Sequence, residues 1–150
     1  MMLHEMVAPC GLFCGGCPLF LAAHNSDIAE KLAARFQTTP DKVTCSGCRP
    51  MKGCSMPLHG KRCGTFECVE KKGFNFCYEC DEFPCDKLAP AADKADSLPH
   101  NNKIFNLLRI KRDGLESWVE HYPMIMDRYF KGTMILGDGP TNPDKDSTDK

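Results

Sequence analysis

The 150-residue chain lacks the features that would place it in several large functional classes. It has no excess of charge, since 19 lysines and arginines oppose 20 aspartates and glutamates, and a nearly neutral chain gives no overall argument for a nucleic-acid or membrane partner. No apolar run reaches 18 residues, so no segment is expected to span a membrane. The amino terminus, MMLHEMVAPCGLFC, lacks the basic start and long apolar stretch of an export signal, which predicts a reducing, cytoplasmic location.

Recognisable catalytic patterns are also missing from the sequence. There is no Ser, His and Asp order typical of hydrolases, no glycine-rich loop for phosphate and no pair of carboxylates spaced for acid–base work. The sequence therefore favours a protein that is not an enzyme. A metal-dependent enzyme that uses zinc with an open position stays as an alternative, although no general base is evident beside such a site.

Cysteine is the residue that the chain has in excess, with 11 in 150 residues. Six of them form three Cys-x2-Cys pairs, here called the first knuckle (Cys14 and Cys17), the second knuckle (Cys45 and Cys48) and the third knuckle (Cys77 and Cys80). Clustered cysteine pairs in a reducing compartment are typical of metal ligands. The alternative is an all-disulfide scaffold, in which an odd number of cysteines leaves one thiol unpaired. All eleven are predicted metal ligands: Cys10, Cys14, Cys17, Cys45, Cys48, Cys54, Cys63, Cys68, Cys77, Cys80 and Cys85.

Zinc is the favoured metal, in two or more ions, because structural zinc takes four tetrahedral cysteine or histidine ligands. Eleven cysteines divide most simply into two sets of four and one set of three. Grouped along the chain, the sets are Cys45, Cys48, Cys54 and Cys63; then Cys68, Cys77, Cys80 and Cys85; then Cys10, Cys14 and Cys17. Known sites also interleave their pairs, so other partitions stay open, and His59 could be a fourth ligand.

The alternative cofactor is a [4Fe–4S] cluster at Cys10, Cys14 and Cys17, because cysteine thiolates are the normal ligands of such clusters. The Cys-x3-Cys-x2-Cys spacing equals that of radical enzymes that hold S-adenosylmethionine on a [4Fe–4S] cluster. Those enzymes need a large α/β barrel, which 150 residues with 11 cysteines cannot supply. The alternative function is therefore that of an iron–sulfur redox or accessory protein, without radical chemistry.

Hydrophobic periodicity predicts a small α-rich domain with minor β structure, stapled by metal. Its amino-terminal half is a loop-rich set of cysteine knuckles and its carboxy-terminal half is helical. Helices are expected at 18–24, at 27–37 with Ser26 as N-cap, and at 102–122 as two helices that meet at Gly114 and are interrupted at Pro123. A short strand is expected at 74–78, a helix after Cys85 and another short strand within 130–136. The metal-binding domain is assigned to residues 1–136, and 137–150 to a disordered acidic tail.

The loop between residues 49 and 72 is locally basic. Six cations, Arg49, Lys52, Lys61, Arg62, Lys71 and Lys72, face only Glu67 and Glu70. Charge runs are usually solvated surface, and the alternative is a patch for nucleic acid, phosphate or an acidic partner. The sequence therefore favours an unidentified protein partner, with nucleic acid as the weaker alternative and no membrane.

The cysteine pattern resembles the bacterial and archaeal family called domain of unknown function 3795. The resemblance is carried by CGLFCGGCPLF, then CSGC, then CGTFECVEKKGFNFCYECDEFPCDKL, and extends to LPHNNKIFNLLRIKRDGLESWVEH, so that it covers roughly residues 8–122. It implies a small, cysteine-rich, zinc-binding protein without an established activity, with every cysteine except Cys54 carried over as a ligand by motif. Composition and resemblance together predict a metal-stabilised interaction module.

Overall fold

The computed structural model describes residues 2–54 and 61–142. Over these residues the chain forms five α-helices and one antiparallel pair of strands: α1 (Pro18–Ala22), α2 (Ser26–Phe36), α3 (Gly64–Lys72), α4 (Lys103–Asp113), α5 (Leu115–Lys131), β1 (Thr133–Ile135) and β2 (Gly139–Thr141). Short 3-10 helices occupy Leu3–Met6, Cys14–Gly16, Pro40–Val43, Cys77–Glu79, Asp86–Leu88 and Pro99–Asn102. The predicted α-rich fold with minor β structure is confirmed.

The first two helices lie close to their predicted positions. Pro18 begins α1, where its missing N–H is not needed. The N-cap of α2 is Asn25 rather than the predicted Ser26, because the Asn25 side chain accepts hydrogen bonds from the N–H groups of Asp27 and Ile28 at 3.0 and 3.2 Å.

Helix α3 crosses a stretch that the sequence pattern assigned to a loop. It begins after Cys63 and ends at Gly73, whose φ of 72° allows the left-handed conformation of a helix stop. Glycine, threonine and valine weaken its helix propensity, which explains why the pattern was weak. Its buried residue is Val69, which anchors the helix to the core.

Helices α4 and α5 meet at Gly114 as predicted, but the predicted interruption at Pro123 is wrong. Pro123 lies on the exposed side of α5, which continues to Lys131. On that side water can satisfy the carbonyl that loses its N–H partner, so the helix persists. Across the described residues, none of the helices combines the length and the apolar character that crossing a membrane requires.

The carboxy-terminal boundary also differs from the prediction. Thr133 pairs with Thr141 and Ile135 with Gly139 in the β1–β2 hairpin. The prediction of disorder from residue 137 is therefore wrong for Gly139–Thr141, and its part from residue 143 lies outside the described residues. The strand expected at 74–78 is absent from the described chain, since residues 77–79 form a 3-10 turn, and the helix expected after Cys85 is a three-residue 3-10 turn.

The buried apolar residues form two clusters of unequal size. The larger joins α3, the third knuckle, α4 and α5 around Trp118 and contains Val7, Val69, Phe76, Cys77, Leu88, Leu107, Ile110, Trp118, Tyr122 and Ile125. The smaller, between α1, α2 and the turn at Pro40–Val43, contains Ala22, Ala29, Ala33 and Val43. Both clusters border the cysteine loops, so these loops lie at the junction of the fold.

Candidate metal centre

The first and second knuckles lie against each other. The backbone N–H of Cys48 donates to the sulfur of Cys14 at 3.3 Å, although 34 residues separate the two. Within the second knuckle, the N–H of Gly47 donates to the sulfur of Cys45 at 3.4 Å, and Gly47 has a positive φ of 110°. A backbone hydrogen bond of 3.0 Å from Cys45 N–H to the carbonyl of Leu19 fixes the second knuckle beside α1. Two cysteine loops that are distant in sequence are thereby brought into contact.

The thiols at this junction perturb one another. A hydrogen bond with Cys48 lowers the pKa of Cys14 to about 7 and raises the pKa of Cys48, so Cys48 keeps the proton and donates it. A hydrogen bond with the Cys54 side chain lowers the pKa of Cys45 to about 6. Burial raises the pKa of Cys17, and the neighbouring charges of Cys45 and Cys14 add to that effect. The group can therefore supply thiolates at neutral pH, which is the form that binds metal.

The loop that carries the first knuckle is docked onto α4 by close contacts. Asn106, fully buried, donates from Nδ2 to the carbonyl of Gly11 at 2.9 Å. Gly11 has a φ of 82°, and a Cβ atom at this position would lie 3.0 Å from Leu107 Cγ and from the Lys103 carbonyl oxygen. Glycine is thus required both by backbone conformation and by space.

Arg49 ties the second knuckle to the rest of the fold. Its Nε donates to the carbonyls of His4 and Val7 at 3.0 and 2.8 Å, and its Nη2 donates to the carbonyl of Asn75 at 2.9 Å. The guanidinium also lies over the ring of Phe76, 5.1 Å from the centroid. Arg49 is therefore a structural cation and not part of a free basic surface.

A second group of thiols surrounds a cavity of about 70 Å³ between α3 and the third knuckle, with Cys68, Cys77, Cys80 and Cys85 in its lining. Burial raises the pKa of Cys77 to about 12, and the charges of Cys10, Cys85 and Cys68 add to this. Cys77 is held in place by a 2.9 Å hydrogen bond from its N–H to the carbonyl of Pro9. This set is the one that grouping along the chain predicted.

Comparison with known proteins identifies a family. The family model described as a protein of unknown function (DUF3795) matches residues 6–90. The chain belongs to this family. No curated protein and no solved structure matches it. The DUF3795 match contains all eleven cysteines and ends before α4, so the similarity predicted for the helical half lies outside the matched residues.

Within the DUF3795 region one contact between cysteines crosses two of the predicted sets, and another lies inside a predicted set. Cys14, a member of the predicted triad, contacts Cys48 of the second set, whereas the contact between Cys45 and Cys54 lies within the predicted set. Burial raises the pKa of Cys10, and the charge of Cys63 adds to the rise. The contact between Cys14 and Cys48 therefore crosses the predicted boundary between the triad and the second set, and which cysteines share a metal stays a prediction.

No disulfide joins any of the eleven cysteines, all of which lie in the described residues. In residues 2–54 and 61–142, no three cysteine, histidine, aspartate or glutamate side chains have the mutual geometry of a metal site. The thiols of Cys14 and Cys48 instead hydrogen-bond to each other. His59 lies outside the described residues.

The basic loop of this DUF3795 protein is largely neutralised. Lys52 pairs with Glu70 at 2.6 Å, and Arg62 pairs with Glu70 and Glu67 at 3.0 and 3.2 Å. Lys72 pairs with Glu82 and donates to the sulfur of Cys80. The pattern of charges in the sequence could not reveal this, because Glu82 lies beyond the loop and the partly buried Arg49 donates to backbone carbonyls. Asn106 was likewise missed, since a single asparagine in a helix carries no signal of its role.

Proposed function

We propose that this protein is a zinc-stabilised interaction module, in which one ion is held by the first and second knuckles through Cys14, Cys17, Cys45 and Cys48. The observation that carries the proposal is the contact between the knuckles, in which the Cys48 N–H lies 3.3 Å from the Cys14 sulfur. Two Cys-x2-Cys pairs facing one another are the donor set that structural zinc takes. When bound, zinc would supply a cross-link between loops that are distant in sequence.

The surroundings of these thiols fit a bound cation. Backbone N–H groups of Gly47 and Cys48 donate to the sulfurs of Cys45 and Cys14, and such donors orient thiolate ligands and spread their charge. Arg49 lies beside them and adds positive charge near Cys14, Cys48 and Cys10. Four thiolates on a divalent ion carry a net negative charge, so these donors would stabilise the loaded site.

The same four thiols are also a possible ligand set for a [4Fe–4S] cluster, since cysteine is the normal ligand of both centres. The contact between the knuckles disfavours the triad of Cys10, Cys14 and Cys17 as an isolated three-ligand centre. Zinc is preferred here because paired Cys-x2-Cys knuckles are the usual form of its closed structural sites.

The interaction role is supported by exposed apolar side chains in the helical half. Phe105 and Leu108 are 48 and 49 % exposed on α4, and Met134 and Leu136 are 65 and 94 % exposed at the hairpin. Exposed apolar side chains of this size are available to a protein partner. A nucleic-acid partner has less support, because Arg49, Lys52 and Arg62 are engaged within the protein.

Metal analysis of anaerobically purified protein, followed by chelation, tests this proposal. We expect colourless protein that contains zinc, that loses helical circular dichroism on chelation and that regains it with zinc, because binding energy at such a site is folding energy. The double variant Cys14→Ser/Cys48→Ser should lose one zinc ion per chain. Binding partners captured by the loaded protein should be lost both on chelation and in Phe105→Gln/Leu108→Gln.

Three outcomes would contradict the proposal. Brown protein that contains iron and sulfide would establish the cluster instead of zinc. A fold that survives complete removal of metal would exclude the stabilising role. Zinc content unchanged in Cys14→Ser/Cys48→Ser would exclude the knuckle site, whatever the fold does on chelation.

A further inference from the structure

The third knuckle places a partly exposed thiol next to a buried one. Cys80 is partly exposed, whereas Cys77 is buried in the larger apolar cluster. The N–H of Cys80 donates to the Cys77 carbonyl at 3.2 Å, which closes a turn over four residues. The end Cα atoms of such a turn lie within about 7 Å, and a disulfide spans about 4.4–6.8 Å between its Cα atoms. A turn of this kind can therefore accommodate a disulfide between the two thiols.

Two side chains of opposite charge contact the Cys80 sulfur. Nζ of Lys72 donates to the sulfur at 3.1 Å, and Oε2 of Glu82 lies 3.9 Å from it as a hydrogen-bond acceptor. Lys72 and Glu82 also form an ion pair with each other. Reactive cysteines occur in electropositive, partly exposed surroundings of this kind. Cys80 is therefore placed to react, with a proton acceptor and a proton donor at its sulfur.

A small oxidant has room beside this sulfur. A cavity of about 70 Å³ contains Lys72, Cys77, Cys80 and Glu82 in its lining. One water molecule needs about 10–15 Å³ of such volume, so hydrogen peroxide, with two oxygen atoms, fits. The side chains of Lys72 and Glu82 are 37 and 74 % exposed, so the charged contacts of Cys80 lie on the solvent side.

We propose that the third knuckle is a site of oxidation by hydrogen peroxide, in which Cys80 attacks and Cys77 resolves. The Cys80 sulfur attacks one peroxide oxygen, and the O–O bond breaks. The leaving oxygen takes a proton from Lys72 and departs as water. Glu82 takes the thiol proton of Cys80 and returns it to Lys72, so Cys80 becomes a sulfenic acid and the charged pair is unchanged.

The second step closes the third knuckle. The Cys77 sulfur attacks the Cys80 sulfur, the S–O bond breaks, and the hydroxyl group leaves with the Cys77 proton as a second water. Two thiols are thereby oxidised to one disulfide, and one hydrogen peroxide is reduced to two waters. The step goes beyond the proposed function and uses neither of the knuckles that hold zinc there. It is an alternative to metal binding at Cys77 and Cys80, since thiolates held by zinc do not attack peroxide freely.

Peptide mapping of zinc-loaded, full-length protein after treatment with hydrogen peroxide tests this proposal. Free thiols are alkylated, and trypsin then releases a peptide that follows Lys72 and carries Cys77, Cys80 and Cys85. We expect a disulfide between Cys77 and Cys80 while Cys85 is alkylated. In Cys77→Ser, oxidation should stop at the Cys80 sulfenic acid, which dimedone labels.

Three outcomes would overturn the proposal. Cys80 that stays reduced while other cysteines are oxidised would exclude it as the attacking thiol. A disulfide from Cys80 to Cys85 would exclude Cys77 as the resolving thiol. Release of zinc in step with oxidation of Cys77 and Cys80 alone would make these residues metal ligands. The zinc content of Cys14→Ser/Cys48→Ser is a separate measurement, so failure of the proposed function would not imitate any of these results.

Lysine variants test the proton donor without removing a thiol. Lys72→Met should slow formation of the disulfide by about tenfold, because one hydrogen bond from a charged donor corresponds to about one order of magnitude in rate. Lys72→Arg should restore most of the rate. Lys71→Met is the matched control, because it removes the same charge from a neighbouring exposed residue of α3 that does not line the cavity. Equal rates in Lys72→Met and Lys71→Met would overturn the role of Lys72.

Discussion

Replacing Arg49 with methionine is expected to destabilise the fold far more than the same replacement at Arg62. The two residues belong to the same basic loop but have different surroundings. Nε of Arg49 shares its hydrogen between the carbonyls of His4 and Val7 in a partly buried place, whereas Arg62 pairs with glutamates while 56 % exposed. Methionine keeps the apolar stem and removes only the guanidinium group.

The expected loss at Arg49 follows from the contacts of that guanidinium group. A hydrogen bond from a charged donor contributes about 1.5–3 kcal/mol, and the contact with the Phe76 ring adds about 0.5–1 kcal/mol. The bond to Asn75 is exposed and adds little. Arg49→Met should therefore lower the free energy of unfolding by about 2–3 kcal/mol, while Arg62→Met should stay within experimental error.

Urea unfolding at a fixed excess of zinc measures this difference. The single tryptophan, Trp118, is fully buried in the larger cluster and reports unfolding by its fluorescence. With a typical urea dependence of roughly 2 kcal/mol per molar, the midpoint of Arg49→Met should fall by about 1–1.5 M. An unchanged midpoint for Arg49→Met, or an equal fall for Arg62→Met, would refute the assignment of Arg49 as a structural cation.

Two further predictions concern α4 and its contacts. Gly11→Ala should lower the free energy of unfolding, measured by urea titration, by about 1–3 kcal/mol. The reason is that the φ of 82° at Gly11 and the contacts 3.0 Å from an added Cβ leave no place for a methyl group. Gly64→Ala is the matched control, because a Cβ at Gly64 meets nothing within 4 Å. Hydrogen bonds from Arg112 and Arg109 lower the pKa of Asp113 to about 2. The ionised carboxylate therefore stabilises the fold at any pH above its unfolded pKa of about 4, and this stabilisation is lost as the pH falls toward 2. Thermal melts from pH 5 to 2 should show a steeper decline for wild type than for Asp113→Asn, and parallel curves would contradict the assignment.

The spacing of cysteines along the chain predicts some of the contacts between cysteine loops and not others. The common lining of one cavity by Cys68, Cys77, Cys80 and Cys85 could be predicted, because these residues lie within 18 residues of each other and short turns bring them together. The contact between Cys14 and Cys48 could not be predicted, because it depends on the backbone bond from Cys45 to Leu19. Such a bond depends on how α1 and the second knuckle pack in the folded chain, and the spacing of the cysteines along the sequence does not indicate it.

Local sequence was also insufficient to predict secondary structure where tertiary packing overrides helix propensity. Helix α3 has weak helix formers, yet burial of Val69 and the stop at Gly73 stabilise it. Pro123 lacks an N–H, but α5 continues through it because Trp118, Tyr122 and Ile125 on its buried side hold both halves of the helix. The strand predicted within 130–136 is confirmed by β1, but its partner β2 was missed. The polar, glycine- and proline-rich composition from Gly137 resembles that of a disordered tail, although Gly137 and Gly139 supply the positive φ of a turn.

If the proposed zinc is bound, the unequal apolar clusters imply that its removal would act unevenly on the fold. The cluster that holds α1 and α2 buries three alanines and Val43, and each buried alanine methyl contributes only about 0.8 kcal/mol. The ordering of residues 18–43 costs far more than this, since each residue loses about 1–2 kcal/mol of backbone entropy. Local helix hydrogen bonds and the link through Leu19 to the second knuckle must supply much of the difference.

The cluster around Trp118 buries large side chains and depends less on metal. On chelation, hydrogen exchange should therefore accelerate first in α1 and α2, while α4 and α5 keep more of their protection. The order in which hydrogen exchange accelerates distinguishes two roles of zinc. Loss of an ion that holds the knuckles together would accelerate exchange in α1, whereas loss of an ion bound only to surface thiols would leave the exchange of α1 unchanged.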